Sequence, residues 1–188
     1  MKIKPGQYGF LKKQKMMYVV KMAVCVVAGL SIFLIGLWVN KGNYKNIGSV
    51  IAMLSVLPFA KSLTELVVVF PFRDVAKERY EKIAALCGED AKLMASLVIT
   101  SDKKVMFLDF AVVWEGNVIV LAGKRETDIP YISEYLTKGV RNWGFDYRVR
   151  IVKEEKAFIH AIEDRKPVQV SEEERKHVIC YLESLIVK

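Results

Sequence analysis

Two long apolar stretches dominate the first third of the chain. Residues 16–39 carry one charge, Lys21, and residues 47–70 carry only the charges Lys61 and Glu65. At about 1.5 Å per residue, a helix over either stretch crosses a hydrocarbon core of about 30 Å. The connecting residues 40–46 allow only an antiparallel return. We therefore predict a two-helix transmembrane hairpin over residues 16–72.

The second apolar stretch contains two signals beyond its length. Pro58 predicts a kink, because proline removes a helical hydrogen bond and crowds the preceding turn. Lys61 and Glu65 are spaced i, i+4, which favours an ion pair on one face near the membrane interface. The same pair would contribute to an ion path if the chain were a small transport or channel component.

Residues 73–188 alternate between helix-like and strand-like patterns of apolar positions. The predicted elements are a helix from 73 or 74 to 87, strands 93–100, 105–113 and 118–122, a helix from 127 or 128 ended by Gly144, strands 145–152 and 156–162, and a last helix after the capping box at Ser171. The order is α-β-β-β-α-β-β-α. Short turns predict a mainly antiparallel or mixed sheet, and the fold class is α+β.

The net charge of +8 is concentrated in the apolar part of the chain. Residues 1–72 hold nine lysines and one acid, whereas residues 73–188 hold twenty basic and twenty acidic residues. A protein that neutralises phosphates needs its cations on the binding domain. We therefore predict no nucleic-acid partner.

The lysines instead indicate orientation in a membrane. The basic segment 1–15 includes Lys12, Lys13 and Lys15, and the residues after the second apolar stretch are basic again. Basic flanks favour the cytoplasmic side. We predict a multi-pass protein of the cell membrane with both termini in the cytoplasm, residues 73–188 forming a cytosolic domain, and the lipid bilayer as its first partner.

Motifs that would carry catalysis are absent from the sequence. It has no P-loop, no dinucleotide-binding glycine pattern, no zinc-protease helix and no nucleophile elbow. His177 and Cys180 are spaced i, i+3 without further metal ligands, and the three cysteines favour reduced thiols. Trp143, Phe145 and Tyr147 could stack a ligand but are more typical of a core. We predict no cofactor and no metal.

Asp109 is the residue that breaks its local pattern. A carboxylate inside an apolar strand is costly unless it is paired, so either catalysis or a salt bridge must account for it. The stretch from Asp109 to Lys124 resembles the central hairpin of the restriction-endonuclease-like fold in its nuclease-related (NERD) form, and the α-β-β-β-α-β order is similar. The resemblance implies a metal-binding role for Asp109 and a catalytic role for Lys124. The glutamate of that family falls on Ala122, which implies an inactive relative unless Glu115 or Glu126 supplies the second acid.

A second resemblance covers more of the chain. Its residues are the basic start with Pro5-Gly6-x-Tyr8-Gly9-Phe10, the hairpin, Leu57-Pro58, and the helix end Tyr135-Leu136-Thr137-Lys138-Gly139. Together they resemble a group of small two-helix membrane proteins from Gram-positive anaerobic bacteria. Some of these carry an O-linked N-acetylglucosamine-transferase-like label, but the chain has no room for a two-lobed sugar-nucleotide fold.

These observations favour a non-catalytic membrane protein over an enzyme. We expect the hairpin to hold a small cytosolic α/β interaction or regulatory domain that binds a protein partner or its own copies. The first alternative is a membrane-tethered nuclease of the restriction-endonuclease-like type, or its inactive relative. The second is a transport or channel component that uses Lys61 and Glu65.

Overall fold

A computed structural model describes residues 4–88, 90–143, 147–164, 166, 168 and 170–187. The chain divides into two compact units. The helical unit comprises residues 12–71, and the α/β unit comprises residues 72–188 together with residues 1–11. The fold class is α+β, as predicted.

Three helices account for the two apolar stretches: α1 over Phe10–Val39, α2 over Ile47–Leu54 and α3 over Val56–Val69. The break between α2 and α3 falls at Ser55, and the Ser55 hydroxyl donates to the Ala52 carbonyl at 2.6 Å. Pro58 accounts for this break, because it has no N–H to offer the Leu54 carbonyl and its ring crowds that turn. By length and composition, α1 and the stretch Ile47–Val69 could each cross a membrane.

The helical unit is held together by very close backbone contacts. A Cβ atom on Gly48 would lie 3.0 Å from the Gly36 Cα, and one on Gly29 would collide with the Ser55 hydroxyl. Farther along, the Lys15 ammonium donates to the Phe70 carbonyl at 2.9 Å. Contact positions rise along α1 as they fall along α2 and α3, so α1 runs antiparallel to the other two helices.

The described residues of the α/β unit form four strands and four helices. Its elements are α4 (Lys77–Cys87), β1 (Lys92–Thr100), β2 (Val105–Trp114), β3 (Asn117–Ala122), α5 (Ile129–Arg141), β4 (Arg148–Val152), α6 (Glu155–Glu163) and α7 (Glu172–Leu185). The strands lie in the order β1-β2-β3-β4. The first three form an antiparallel meander, and β4 pairs with β3 in parallel after the α5 crossover. The sheet is therefore mixed.

The predicted strand 156–162 is wrong, because these residues form helix α6. Phe158, Ala161 and Ile162 are all buried, and their i, i+3, i+4 spacing is that of a helical stripe. The predicted hairpin of strands 145–152 and 156–162 therefore does not form, and the element order ends α-β-α-α instead of α-β-β-α. Gly144, predicted to end α5, and Phe145, predicted to open the next strand, lie outside the described residues.

The sheet carries a hydrophobic core on each face. Helices α4 and α6 cover one face, where Ile83 and Phe158 pack on Phe110 and Ile119. Helices α5 and α7 cover the other face, where the packed side chains include Leu136 and Leu182. Burial on both faces explains why β2 reads as an almost continuous apolar run.

Both ends of the described chain cover the outer edge of β1. The Ala95 N–H donates to the Gly6 carbonyl at 2.8 Å, and the Val187 N–H donates to the Val98 carbonyl at 3.0 Å. Gly6 has φ +79°, and a Cβ there would lie 3.0 Å from Met94. The Tyr8 ring packs on Tyr80 with centroids 5.0 Å apart. The glycine and tyrosine near the N-terminus therefore serve to close the sheet.

Candidate functional site

Two backbone irregularities lie side by side in the sheet, one in β2 and one in the neighbouring strand β1. Leu108 pairs with Ala122 and Phe110 with Leu121, which leaves Asp109 as the extra residue of a β-bulge. On the other side, Ser96 stands opposite Asp109 and has φ +55°. Positive φ is uncommon and costly for a residue other than glycine, and such strain clusters at functional sites.

Ser96 uses its unusual position to hold the chain ahead of α4. Its hydroxyl accepts a hydrogen bond from the Val75 N–H at 3.0 Å, and both residues are buried. The bond supplies a partner for a backbone donor that the sheet and the helix do not satisfy. The strained serine thus fixes the entry of α4 above the bulge.

Asp109 belongs to a cluster of three ionisable side chains that we call the Arg79 triad: Arg79, Asp109 and Glu155. The Arg79 guanidinium, on α4, lies 3.1 Å from the Asp109 carboxylate and 2.8 Å from the Glu155 carboxylate in the first turn of α6. It also lies 5.6 Å from the centroid of the Phe110 ring. One guanidinium therefore connects α4, β2 and α6, and it explains why the apolar strand tolerates a carboxylate.

The cluster holds two carboxylates against one cation, and its pKa values reflect this. Burial raises the pKa of Asp109 above its ordinary value, the negative charge of Glu155 adds to the rise, and Arg79 and Lys124 oppose it. Burial works against the charge of Arg79, but the bonds to Asp109 and Glu155 raise its pKa overall. Arg79 therefore stays charged while Asp109 is the group that can take up a proton.

The raised pKa of Asp109 predicts the sign of a pH effect on stability. The folded protein binds the Asp109 proton more tightly than the unfolded chain, so this group's contribution to the free energy of unfolding falls as pH rises from 3.8 through the folded pKa. We expect the stability difference between wild type and Asp109→Asn to decrease over that window, measured by denaturant unfolding at several pH values.

Asp128 provides a control with the opposite sign. A hydrogen bond from the Tyr131 N–H and the charge of Lys104 lower the pKa of this carboxyl. The stability difference between wild type and Asp128→Asn should therefore increase with pH above the folded pKa of Asp128. If the Asp109→Asn difference also increased with pH, the ion pair with Arg79 would outweigh burial and our account of the triad's charge would be wrong.

Of the other residues that the nuclease resemblance implies, Lys124 acts on the Asp109 carboxylate through its charge, but the acids of the described chain do not form a metal site there. Glu126 accepts a hydrogen bond from the Phe107 N–H at 2.8 Å. Ala122 is buried in the sheet, and Lys124 is exposed just after β3. Within the described ranges, no three His, Cys, Asp or Glu side chains lie close enough to hold a metal ion. The structure places the Arg79 guanidinium between Asp109 and the acid Glu155.

The predicted membrane-related residues lie in the helical unit. Lys12, Lys13 and Lys15 are in the first turns of α1, and Lys15 contributes the bond to Phe70. Lys61 is exposed and Glu65 half-buried, one turn apart on α3, and the contacts of the described chain include no ion pair between them.

The remaining sequence candidates are dispersed. Cys180 is exposed on α7, and the His177 ring contacts Trp143 edge-on with centroids 6.2 Å apart. Tyr147 is buried in the core beneath α5 and α7. Of the three aromatic residues that the sequence analysis considers for ligand stacking or a core, Phe145 lies outside the described residues.

Sequence reasoning missed Arg79, Glu155 and Ser96. For Arg79 a signal existed, because it lies four residues before Ile83 and eight before Cys87, both of which are buried on α4. A charge on the apolar stripe of a helix should have a buried partner, and Asp109 was the unpaired acid. Ser96 had no such signal, since a positive φ is a property of the folded strand.

The triad is a fixed ion cluster that joins two helices through the sheet. Its two carboxylates are both held by Arg79, which leaves little capacity for a substrate or a metal ion. Comparison of the chain with models of known protein families, with curated proteins and with solved structures finds no match.

Proposed function

We propose that this chain is an integral membrane protein whose two-helix hairpin holds a non-catalytic α/β interaction domain at the cytoplasmic face of a cell membrane. The observation that carries the proposal is the exposure of large apolar side chains on the helical unit. Val27, Leu34, Val50 and Leu57 each keep well over half of their surface exposed. The helices meet instead through glycine and serine.

This arrangement suits lipid as the surrounding solvent. In water each apolar side chain left exposed forgoes roughly 25 cal/mol per Å² of burial. In a bilayer the same side chains face hydrocarbon, and close contacts between small residues are the usual basis of helix association. The exposed apolar surface of α1, α2 and α3 therefore supports insertion of the hairpin.

The positions of the lysines support a cytoplasmic location for both ends of the hairpin. Lys12, Lys13 and Lys15 precede the apolar part of α1, and the bond from Lys15 to Phe70 places the end of α3 at the same level. The loop between α1 and α2 carries only Lys41 and Lys45. By the positive-inside rule this loop lies outside the cell.

The Arg79 triad supports an interaction domain more than a nuclease. A two-carboxylate metal site would require Asp109 to leave Arg79 and a second acid to approach it. Transport through the hairpin would require Lys61 or Glu65 to line a wet path, and no described contact joins the two. We therefore propose neither alternative.

Alkaline extraction of membranes tests the anchor. The full chain should remain in the pellet after a carbonate wash, because two apolar helices hold it. Leu34→Asp combined with Val27→Asp places two charges in the lipid-facing part of α1, each costing about 2.5 to 3.5 kcal/mol at the membrane centre. This variant should move into the supernatant. Release of the wild-type chain by the wash would disprove the proposed anchor.

A further inference from the structure

The two edge strands of the sheet differ in whether their outer backbone groups are paired. The β1 edge is closed by the Gly6 carbonyl and the Val187 N–H. On its inner side, β4 pairs with β3 and with the Gly116 carbonyl just before β3; among the described residues, no other backbone hydrogen bond reaches β4. A strand edge with unpaired backbone groups is a template for another strand.

The register of β4 shows which groups face outward. The Arg148 N–H donates to the Gly116 carbonyl at 2.7 Å, so Arg148 directs its backbone groups toward β3. Alternate residues of a parallel strand bond to the same neighbour, so Arg150 and Val152 also bond inward. The N–H and carbonyl groups of Val149 and Ile151 therefore point away from the sheet and offer two donors and two acceptors.

The side chains along this edge are basic. Arg148 and Arg150 are exposed and lie on the same face of the strand. In the described part of the chain neither forms an ion pair. The last turn of α5, which packs against the opposite face of β4, carries the further basic residues Lys138 and Arg141. Two like charges about 6.6 Å apart along an edge complement acids at every second position of a neighbouring strand.

We propose that the outer edge of β4 binds an extended acidic segment of a partner protein as a fifth strand of the sheet. Hydrogen bonds to Val149 and Ile151 provide the backbone contact, and Arg148 and Arg150 select acidic residues at alternate positions. This inference rests on the proposed interaction domain and names the class of its partner.

A second copy of the chain does not suit this edge. Antiparallel pairing of two β4 strands through Val149 and Ile151 would bring Arg150 directly opposite its own counterpart, and like charges in that position repel. The basic edge thus favours an acidic partner over self-association.

The experiment measures binding of a labelled peptide to the full chain in detergent micelles. The probe is a peptide of about eight residues that alternates Glu and Val, long enough to cover β4, followed by fluorescence anisotropy. We expect saturable binding to wild type. Arg148→Glu with Arg150→Glu should weaken it at least tenfold and should instead bind the corresponding Lys and Val peptide. The control Lys82→Glu with Arg125→Glu makes the same charge change on exposed residues elsewhere and should leave binding unchanged.

A peptide of the same composition, N-methylated at alternate residues on its pairing side, separates strand addition from charge attraction. Strand addition predicts that it loses binding, because methylation removes the donors that the Val149 and Ile151 carbonyls require. Equal binding of the methylated peptide, or an unchanged affinity in the doubly reversed variant, would overturn the proposal. The proposal would also be overturned if Arg148 and Arg150 bound vesicles containing anionic lipid and did not bind the peptide. The peptide assay uses detergent micelles and does not depend on the carbonate extraction. A failure of the strand-addition proposal can therefore be distinguished from a failure of the proposed membrane anchor.

Discussion

Arg79→Met should lower the free energy of unfolding of the α/β unit by about 3 kcal/mol. The substitution leaves Asp109, with 6% of its surface exposed, as a buried carboxylate without its cation. It also removes the partner that Glu155 uses to hold α6. We place the effect at the low end of the range for broken buried pairs, because the Arg79 side chain keeps 30% of its surface exposed and water screens it in part.

Urea unfolding followed by tryptophan fluorescence measures this effect in the full chain. A Trp38→Phe background confines the signal to Trp114 and Trp143 of the α/β unit. Asp109→Leu and Glu155→Gln in the Arg79→Met variant remove all the charges and should restore most of the lost stability. A loss below about 1 kcal/mol in the single variant would show that the triad is no more than a surface ion pair.

Gly48→Leu should destabilise the helical unit by about 3 kcal/mol, the upper part of the range for overpacking. A Cβ at this position would lie 3.0 Å from the Gly36 Cα and 3.3 Å from the Ile32 carbonyl oxygen. Both are backbone atoms of α1, so they cannot rotate away as a side chain could. The helices must separate to admit the leucine.

Heating of the chain in detergent, followed by gel filtration, tests this prediction. The midpoint for loss of the monodisperse peak should fall by roughly 6 to 12 °C for a chain of this size. Ala28→Leu adds three carbon atoms, one fewer than Gly48→Leu, on the exposed face of α1 and should leave the midpoint unchanged. Equal midpoints for wild type and Gly48→Leu would contradict the close approach of the helices.

The helical unit was the part most open to prediction from sequence. Two long apolar stretches and a short connection define it, and the break at Ser55 follows from Pro58. The partner of Gly48, which is Gly36, could be identified only from the structure, because the rotation of one helix about the other is set by packing.

The α/β unit was predicted in part. The three-stranded meander and α5 follow turn residues and apolar periodicity that are strong locally. The first helix was predicted from 73 or 74, but α4 begins only at Lys77, because Ala76 is extended. Helix α6 was misread as a strand because its short apolar stretch fits both periods over nine residues. The same error hid the parallel pairing of β4 with β3, because a strand at 156–162 would have paired with β4 as a hairpin.

The partners of Asp109 in the candidate site could not be predicted from the sequence. Asp109 stands out in the sequence because it violates an apolar strand, and both a catalytic and a structural role were open. Its partners come from α4 and α6, which lie 30 and 46 residues away along the chain. Long-range pairing of this kind is fixed by the packing of both helices on one face of the sheet.

The topology of the hairpin is the central claim, and labelling of thiols with a membrane-impermeant maleimide tests it directly. Cys180 is exposed in the α/β unit, whereas Cys87 is buried there. In intact cells Cys180 should stay unlabelled, and in inverted membrane vesicles it should react. Asn43→Cys in a Cys180→Ser background should show the reverse. Labelling of Cys180 in intact cells, or of both positions from the same side, would contradict a two-pass anchor with a cytoplasmic domain.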